Sequence, residues 1–265
     1  MKFAQLVIGT AGAGKSTYCS NMLEYMASLK RTVHVMNLDP AADALQYDPS
    51  IDVRDVITVS QVMEDRPELG PNGALVLAME EVSRDYAYLE ETLGDYSDDY
   101  LIIDCPGQIE LFTHLDVMGR LSRTLEGLGY RVAAVYLSES TFISDPGALV
   151  YSALAALSAM LALGIPHINL LSKVDLLADD MKKSLSGAFP DPHRLVSRLN
   201  MDMPMFSTVN DTIAELVADY SMIQYYPLDY TDDDTLLNIV AQLDHMLQFY
   251  DDAEVGGADF NEDPE

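Results

Sequence analysis

Apolar positions along this chain gather into short continuous runs, separated by stretches of helical length in which apolar and polar residues mix. Residues 3–9 form an apolar run that ends in glycine. Residues 33–39 form a β-rich run closed by Pro40, which disfavours helical backbone at the residue before it. Residues 100–104, 131–137, 166–171 and 223–226 are further predicted strands. Between them, residues 16–29 are predicted helical, residues 75–93 set apolar positions among Glu80, Glu81, Arg84, Asp85, Glu90 and Glu91, and a last helix covers residues 237–249. Buried strands alternating with helices predict an α/β fold, a mostly parallel doubly wound sheet with helical insertions.

Two segments depart from this rhythm. Residues 147–165 carry no charge, a length that raises the question of a membrane span. Tyr151, Ser152, Ser158 and Gly164 within the run, and polar motifs on both sides of it, favour a buried helix. In residues 175–221, Pro190, Pro192 and Pro204 interrupt the helical signals. After one domain over residues 1–250, residues 251–265 lose apolar periodicity and carry seven acids without a base. They read as a solvated, disordered tail.

Charge narrows the partners. The 265 residues include 43 acids against 15 Lys and Arg, a net charge of -28, so a broad surface for nucleic acid or an anionic membrane is not expected. The hydrophobic share of 49% is enough for a filled core. Two cysteines, Cys19 and Cys105, build no disulfide framework and fit a reducing compartment. The N-terminus runs into a glycine-rich motif without a signal-cleavage pattern.

That motif, Gly9-Thr10-Ala11-Gly12-Ala13-Gly14-Lys15-Ser16, is a complete G-x-x-x-x-G-K-S placed between a predicted strand and a predicted helix. Gly12, Ala13 and Gly14 can present backbone N–H groups to nucleotide phosphates, and Lys15 can reach the terminal ones. Ser16 can place its hydroxyl on Mg²⁺, with Thr17 as a weaker contact. Asp104, at the end of an apolar strand, can hold Mg²⁺ directly or through water, or serve as a strand-end cap. Gly107 can offer its N–H to a terminal phosphate. Gln108 is either a water-positioning amide or an ordinary loop residue. Asp39 either orients or deprotonates water or forms an Asx-type cap. Ser172-Lys173-Val174-Asp175 suits guanine: Asp175 can accept from the N1 and N2 edge and the Lys173 stem can cover the ring.

These motifs, in this order, together with Gly70-Pro71-Asn72, Asn37-Leu38-Asp39-Pro40-Ala41-Ala42 and residues 104–111, closely resemble the GPN-loop GTPase family of P-loop NTPases. Within it the chain is most similar to the third eukaryotic branch, through Asp98-Asp99-Tyr100 and the acidic end. The resemblance implies a Mg²⁺-dependent GTPase that binds GTP and GDP and works as a homodimer, or a heterodimer with a GPN-loop paralogue. Gly70-Pro71-Asn72 would then reach the partner's nucleotide site, with Asn72, Asp39 and Gln108 as catalytic residues. It further implies RNA polymerase II assembly components as partners, and a cytoplasmic location with shuttling to the nucleus. Two departures stand out. Ser172 replaces the usual Asn or Thr, and Thr10 and Ala11 offer no extra lysine in the phosphate loop, so another group such as Asn72 must stabilise transferred charge. A nucleotide or small-metabolite kinase, and a nucleotide-stabilised scaffold, are the alternatives.

Overall fold

The computed structural model describes residues 2–84, 89, 91–93, 100–177, 182, 200–201, 204–219 and 224–250. The acidic tail, Asp98-Asp99 and the Pro190 and Pro192 breaks lie outside the described residues. Seven strands form one sheet: β1 (Lys2–Gly9), β2 (Val33–Asn37), β3 (Ile51–Asp52), β4 (Tyr100–Asp104), β5 (Tyr130–Glu139), β6 (His167–Ser172) and β7 (Tyr225–Pro227). Their order is β3-β2-β4-β1-β5-β6-β7, and every pairing is parallel. The expected "mostly parallel" sheet is therefore parallel throughout among the described strands.

The helices are α1 (Lys15–Ser28), α2 (Val59–Asp65), α3 (Pro71–Arg84), α4 (Glu110–Thr113), α5 (Val117–Gly127), α6 (Pro146–Leu163), α7 (Ser207–Asp219) and α8 (Asp233–Leu247). Helices α1 and α8 pack on one face of the sheet and α2, α3, α5 and α6 on the other, and β1 shows how its sequence serves both. Ala4, Leu6 and Ile8 enter the core packed by α2, α3, α5 and α6, while Phe3 and Val7 enter the core packed by α1 and α8. Gln5, buried on the second face, is satisfied at both ends. Its amide donates to the Tyr100 hydroxyl at 2.6 Å, and its oxygen accepts from the Tyr18 hydroxyl at 2.8 Å.

The uncharged segment forms α6. Asp145 caps its start by accepting from the Gly147 and Ala148 N–H groups, and Gly164 ends it in the left-handed region at φ 64°. Ala155, Ala156, Ala159 and Leu163 face one core and Leu157 packs with Leu171, Val174 and Tyr225. No helix among the described residues is long and apolar enough to cross a membrane.

One expected boundary shifts, and two elements were not expected. The helix predicted from residue 75 starts at Pro71, with helical backbone again at Leu89 and residues 91–93. The short edge strand β3 and the helix α2 carry no strong periodic signal.

Candidate functional site

Parallel order places every strand's carboxyl end on one edge, and that edge is where open α/β sheets bind ligands. Gly9 ends β1, Asp104 ends β4, Glu139 ends β5 and Ser172 ends β6, while Asp39 lies two residues beyond β2. The residues singled out along the sequence are thus gathered along one edge, with Asn72 joined to it through Gln108.

The phosphate loop leaves β1 at Gly9 with φ 142°, where a Cβ would lie 2.5 Å from the Leu137 carbonyl oxygen of β5. Only glycine fits the close neighbour strand there. The Ala13 N–H closes the loop on the Thr10 carbonyl at 3.1 Å. Gly14, at φ 89°, precedes α1, whose start has neither a side-chain cap nor an acid in its first turn. Its first N–H groups are therefore left for an anion.

Lys15 is buried and folds back on the loop, donating to the Gly9 and Thr10 carbonyls at 3.2 and 3.3 Å. Burial pulls its pKa down, opposed by the charges of Asp104, Cys105 and Asp39. Gly107 stands against the same loop: a Cβ on it would lie 2.9 Å from Ala11 Cα and 3.1 Å from Lys15 Nζ. Only glycine lets the chain pass this close to the phosphate loop and the Lys15 ammonium.

Asp104 is 3% exposed. Burial raises its pKa, offset by hydrogen bonds from Ser16 and Tyr47 and by the Lys15 charge. The Tyr47 hydroxyl donates to Asp104 Oδ2 at 2.9 Å. Ser16 and Asp104, the two proposed metal ligands, are therefore in direct contact. A hydroxyl and a carboxylate are hard oxygen donors of the kind Mg²⁺ takes one or two of, beside phosphate and water, so the pair fits that ion.

Asp39 makes the contact that the Asx-type reading requires. Its Oδ1 accepts from the Ala41 N–H at 2.9 Å, an Asx-type turn. Its carboxylate also feels the Lys15 charge, while burial, the largest effect, raises its pKa. Thr17 is engaged elsewhere, donating to Gln46 Oε1 at 2.9 Å.

Gly70-Pro71-Asn72 is the beginning of α3 rather than a separate turn, with Pro71 in the first helical position, where its missing N–H costs nothing. Asn72 is exposed, and its Oδ1 accepts from Gln108 Nε2 at 2.9 Å. Two residues proposed as catalytic, one of them expected to face a partner, are thus joined within one chain.

At the base-reading end, Ser172 Oγ is 2.6 Å from the Ala13 carbonyl oxygen and 3.1 Å from that of Ser138. The unusual serine therefore braces the phosphate loop itself. Lys173 takes a left-handed backbone at φ 61°, with its carbonyl accepting from Ser140 Oγ at 3.0 Å. Its ammonium pairs with Glu139. Asp175 is exposed, open to a base.

Sequence reasoning missed Tyr47, Gln46 and Glu139. Glu139 ends a strand predicted to stop two residues earlier, and its position at the carboxyl end of an apolar strand, like that of Asp104, was the available signal. Nothing in the sequence distinguishes Gln46 and Tyr47 from loop residues.

The family model described as "Conserved hypothetical ATP binding protein" matches residues 7–249. The chain is 43% identical to GPN-loop GTPase 3 of Dictyostelium discoideum, over 96% of this chain and 90% of that protein. It is 41% identical to GPN-loop GTPase 3 of Saccharomyces cerevisiae, over 94% and 93%. Among solved structures it is similar to a GTPase in apo form from Pyrococcus abyssi, with a TM-score of 0.77 and 26% identity over 92% of this chain and 97% of that one. The family description names ATP and the relatives GTP.

Proposed function

Because the chain belongs to the GPN-loop GTPase family and hydrolyses GTP, we propose that it does so as a Mg²⁺-dependent dimeric switch whose turnover supports RNA polymerase II assembly or nuclear import. The observation that carries the chemical part is the meeting of Lys15, Ser16, Asp104 and Gly107 at one end of β1 and β4. Gly12 and Gly14 hold the phosphates through backbone N–H groups, Ala13 can add its own only by leaving the Thr10 carbonyl, and Lys15 swings from its own loop carbonyls to the terminal phosphates. Ser16 and Asp104 would hold Mg²⁺, which when bound neutralises charge on the phosphate oxygens. Gln108 and Asp39 orient the attacking water for in-line displacement. Lys173 and Asp175 cover and read guanine.

The dimer enters through Asn72. In the single chain its side chain is held by Gln108. For Asn72 to reach a partner's phosphates that bond opens, so arrival of the partner also frees Gln108 for water. Loss of the γ-phosphate then releases the Asp39 and Gly107 segments and changes how the subunits pack. The partner is a second copy or a GPN-loop paralogue. The RNA polymerase II output and the cytoplasmic location with nuclear shuttling rest on the resemblance to the third branch of the family.

The test combines turnover with mass. Gln108→Ala should lower GTP hydrolysis by about 100-fold or more while GTP affinity stays within a few-fold. Light scattering should give different assemblies with GDP and with a non-hydrolysable GTP analogue. A monomer in both nucleotide states contradicts the switch. Unchanged exchange of RNA polymerase II assembly factors in the Gln108→Ala protein would favour the scaffold instead.

A further inference from the structure

Asp104 has two side-chain partners, and only one of them is a proposed metal ligand. Ser16 is that ligand; the other, Tyr47, has no part in the chemistry described above. Tyr47 is nevertheless more than a surface loop residue. It is 9% exposed, and its ring belongs to the core formed with Tyr18, Cys19 and Met22 of α1. Its hydroxyl is 2.9 Å from Asp104 Oδ2, across 57 residues of sequence.

The residue before it secures the same segment to α1. Gln46 Oε1 accepts from the Thr17 hydroxyl at 2.9 Å, and the Gln46 carbonyl accepts from Ser20 Oγ at 3.3 Å. Both donors follow Ser16 on α1. The segment that begins at Asp39 therefore ends in a clamp on the first turns of α1 and on the carboxylate at the end of β4.

We infer that Tyr47 is a positioning residue for the metal site: its hydroxyl orients the Asp104 carboxylate and couples cation binding to the docking of residues 41–50. The role rests on Asp104 and Ser16 as the Mg²⁺ ligands. A buried carboxylate held by a fixed donor presents its remaining oxygen lone pairs in one direction, and outer partners of this kind commonly govern metal affinity. The same bond works in reverse, because a cation that fixes Asp104 also holds Tyr47 and with it the segment leading back to Asp39.

Tyr47→Phe removes only the hydroxyl. The release rate of a fluorescent GDP analogue, followed against Mg²⁺ concentration, should show apparent Mg²⁺ affinity about 10- to 100-fold weaker. Release in excess EDTA should stay within about twofold of wild type, which a merely structural role would not produce. Equal acceleration with and without Mg²⁺, or unchanged Mg²⁺ affinity, overturns the role. Asp104→Asn separates the two levels: if it leaves Mg²⁺ dependence intact, Asp104 does not hold the metal and Tyr47 has nothing to position. If Asp104→Asn abolishes the dependence and Tyr47→Phe does not alter it, only the role of Tyr47 falls. In the wild-type protein, adding Mg²⁺ at constant GDP should slow hydrogen exchange across residues 41–50, and unchanged exchange there contradicts the coupling.

Discussion

Ser172→Ala tests whether the phosphate loop is braced from the base-reading strand. Ser172 is 1% exposed, and its hydroxyl oxygen, with one proton to give, lies 2.6 Å from the Ala13 carbonyl oxygen and 3.1 Å from that of Ser138. Removing it leaves at least one buried carbonyl without that donor, at a cost of about 1–3 kcal/mol. The functional effect is more specific. The Ala13 carbonyl and the Gly14 N–H occupy opposite edges of one planar peptide. Freeing the carbonyl therefore frees the direction of an N–H proposed to meet phosphate. If roughly 1.4 kcal/mol of the cost falls on the bound state, GDP affinity drops about tenfold. Urea unfolding of the nucleotide-free protein measures the first quantity, and titration with a fluorescent GDP analogue measures the second. Ser172→Thr keeps the hydroxyl and should recover most of both. A stability change below about 0.5 kcal/mol together with unchanged GDP affinity would refute the brace.

Two further perturbations concern the frame. His167, stacked on Tyr136 and hydrogen-bonded to Asn169, has its pKa lowered by burial to about 4. The unfolded chain takes up its proton near pH 6.5, so the contribution of neutral His167 is complete above that pH and is lost as pH falls toward 4. His167→Gln should therefore flatten the acid side of the stability profile by up to about 3 kcal/mol between those limits, measured by denaturation across pH. Arg31 forms a two-pronged pair with Asp244 at 2.7 and 2.6 Å while lying over the Phe249 ring. Asp244→Ala strands the guanidinium against that ring and should cost about 3–5 kcal/mol, read by urea unfolding, whereas replacing both partners by apolar residues should cost less.

Much of this frame was legible because buried parallel strands announce themselves as continuous apolar runs. Residues 100–104 were bounded as the structure has them, since Asp104 breaks the run where the strand ends. The phosphate loop was equally legible, as its chemistry depends on a contiguous sequence. Contacts between distant segments were not. Asn72 and Gln108 lie 36 residues apart, and the bond between them follows from where α3 starts relative to the end of β4. The bond from Tyr47 to Asp104 required knowing that an otherwise unremarkable loop folds onto α1. Strand β3, two residues long, is too short for alternation to be read. Glu139 escaped because β5 extends beyond its last purely apolar positions, through Ser138.

The central claim is that this edge of the sheet binds and hydrolyses a guanine nucleotide read by Asp175. Turnover of GTP, ATP and XTP by the wild-type protein and by Asp175→Asn tests it most directly. A carboxylate accepts from guanine N1–H and the N2 amino group, whereas an asparagine amide can donate to the O2 carbonyl that xanthine carries in place of that amino group. The account predicts that the wild type turns over GTP and leaves ATP and XTP nearly untouched, and that Asp175→Asn loses GTP and gains XTP. Preferred turnover of ATP by the wild type, or a GTP preference that survives Asp175→Asn, would contradict it.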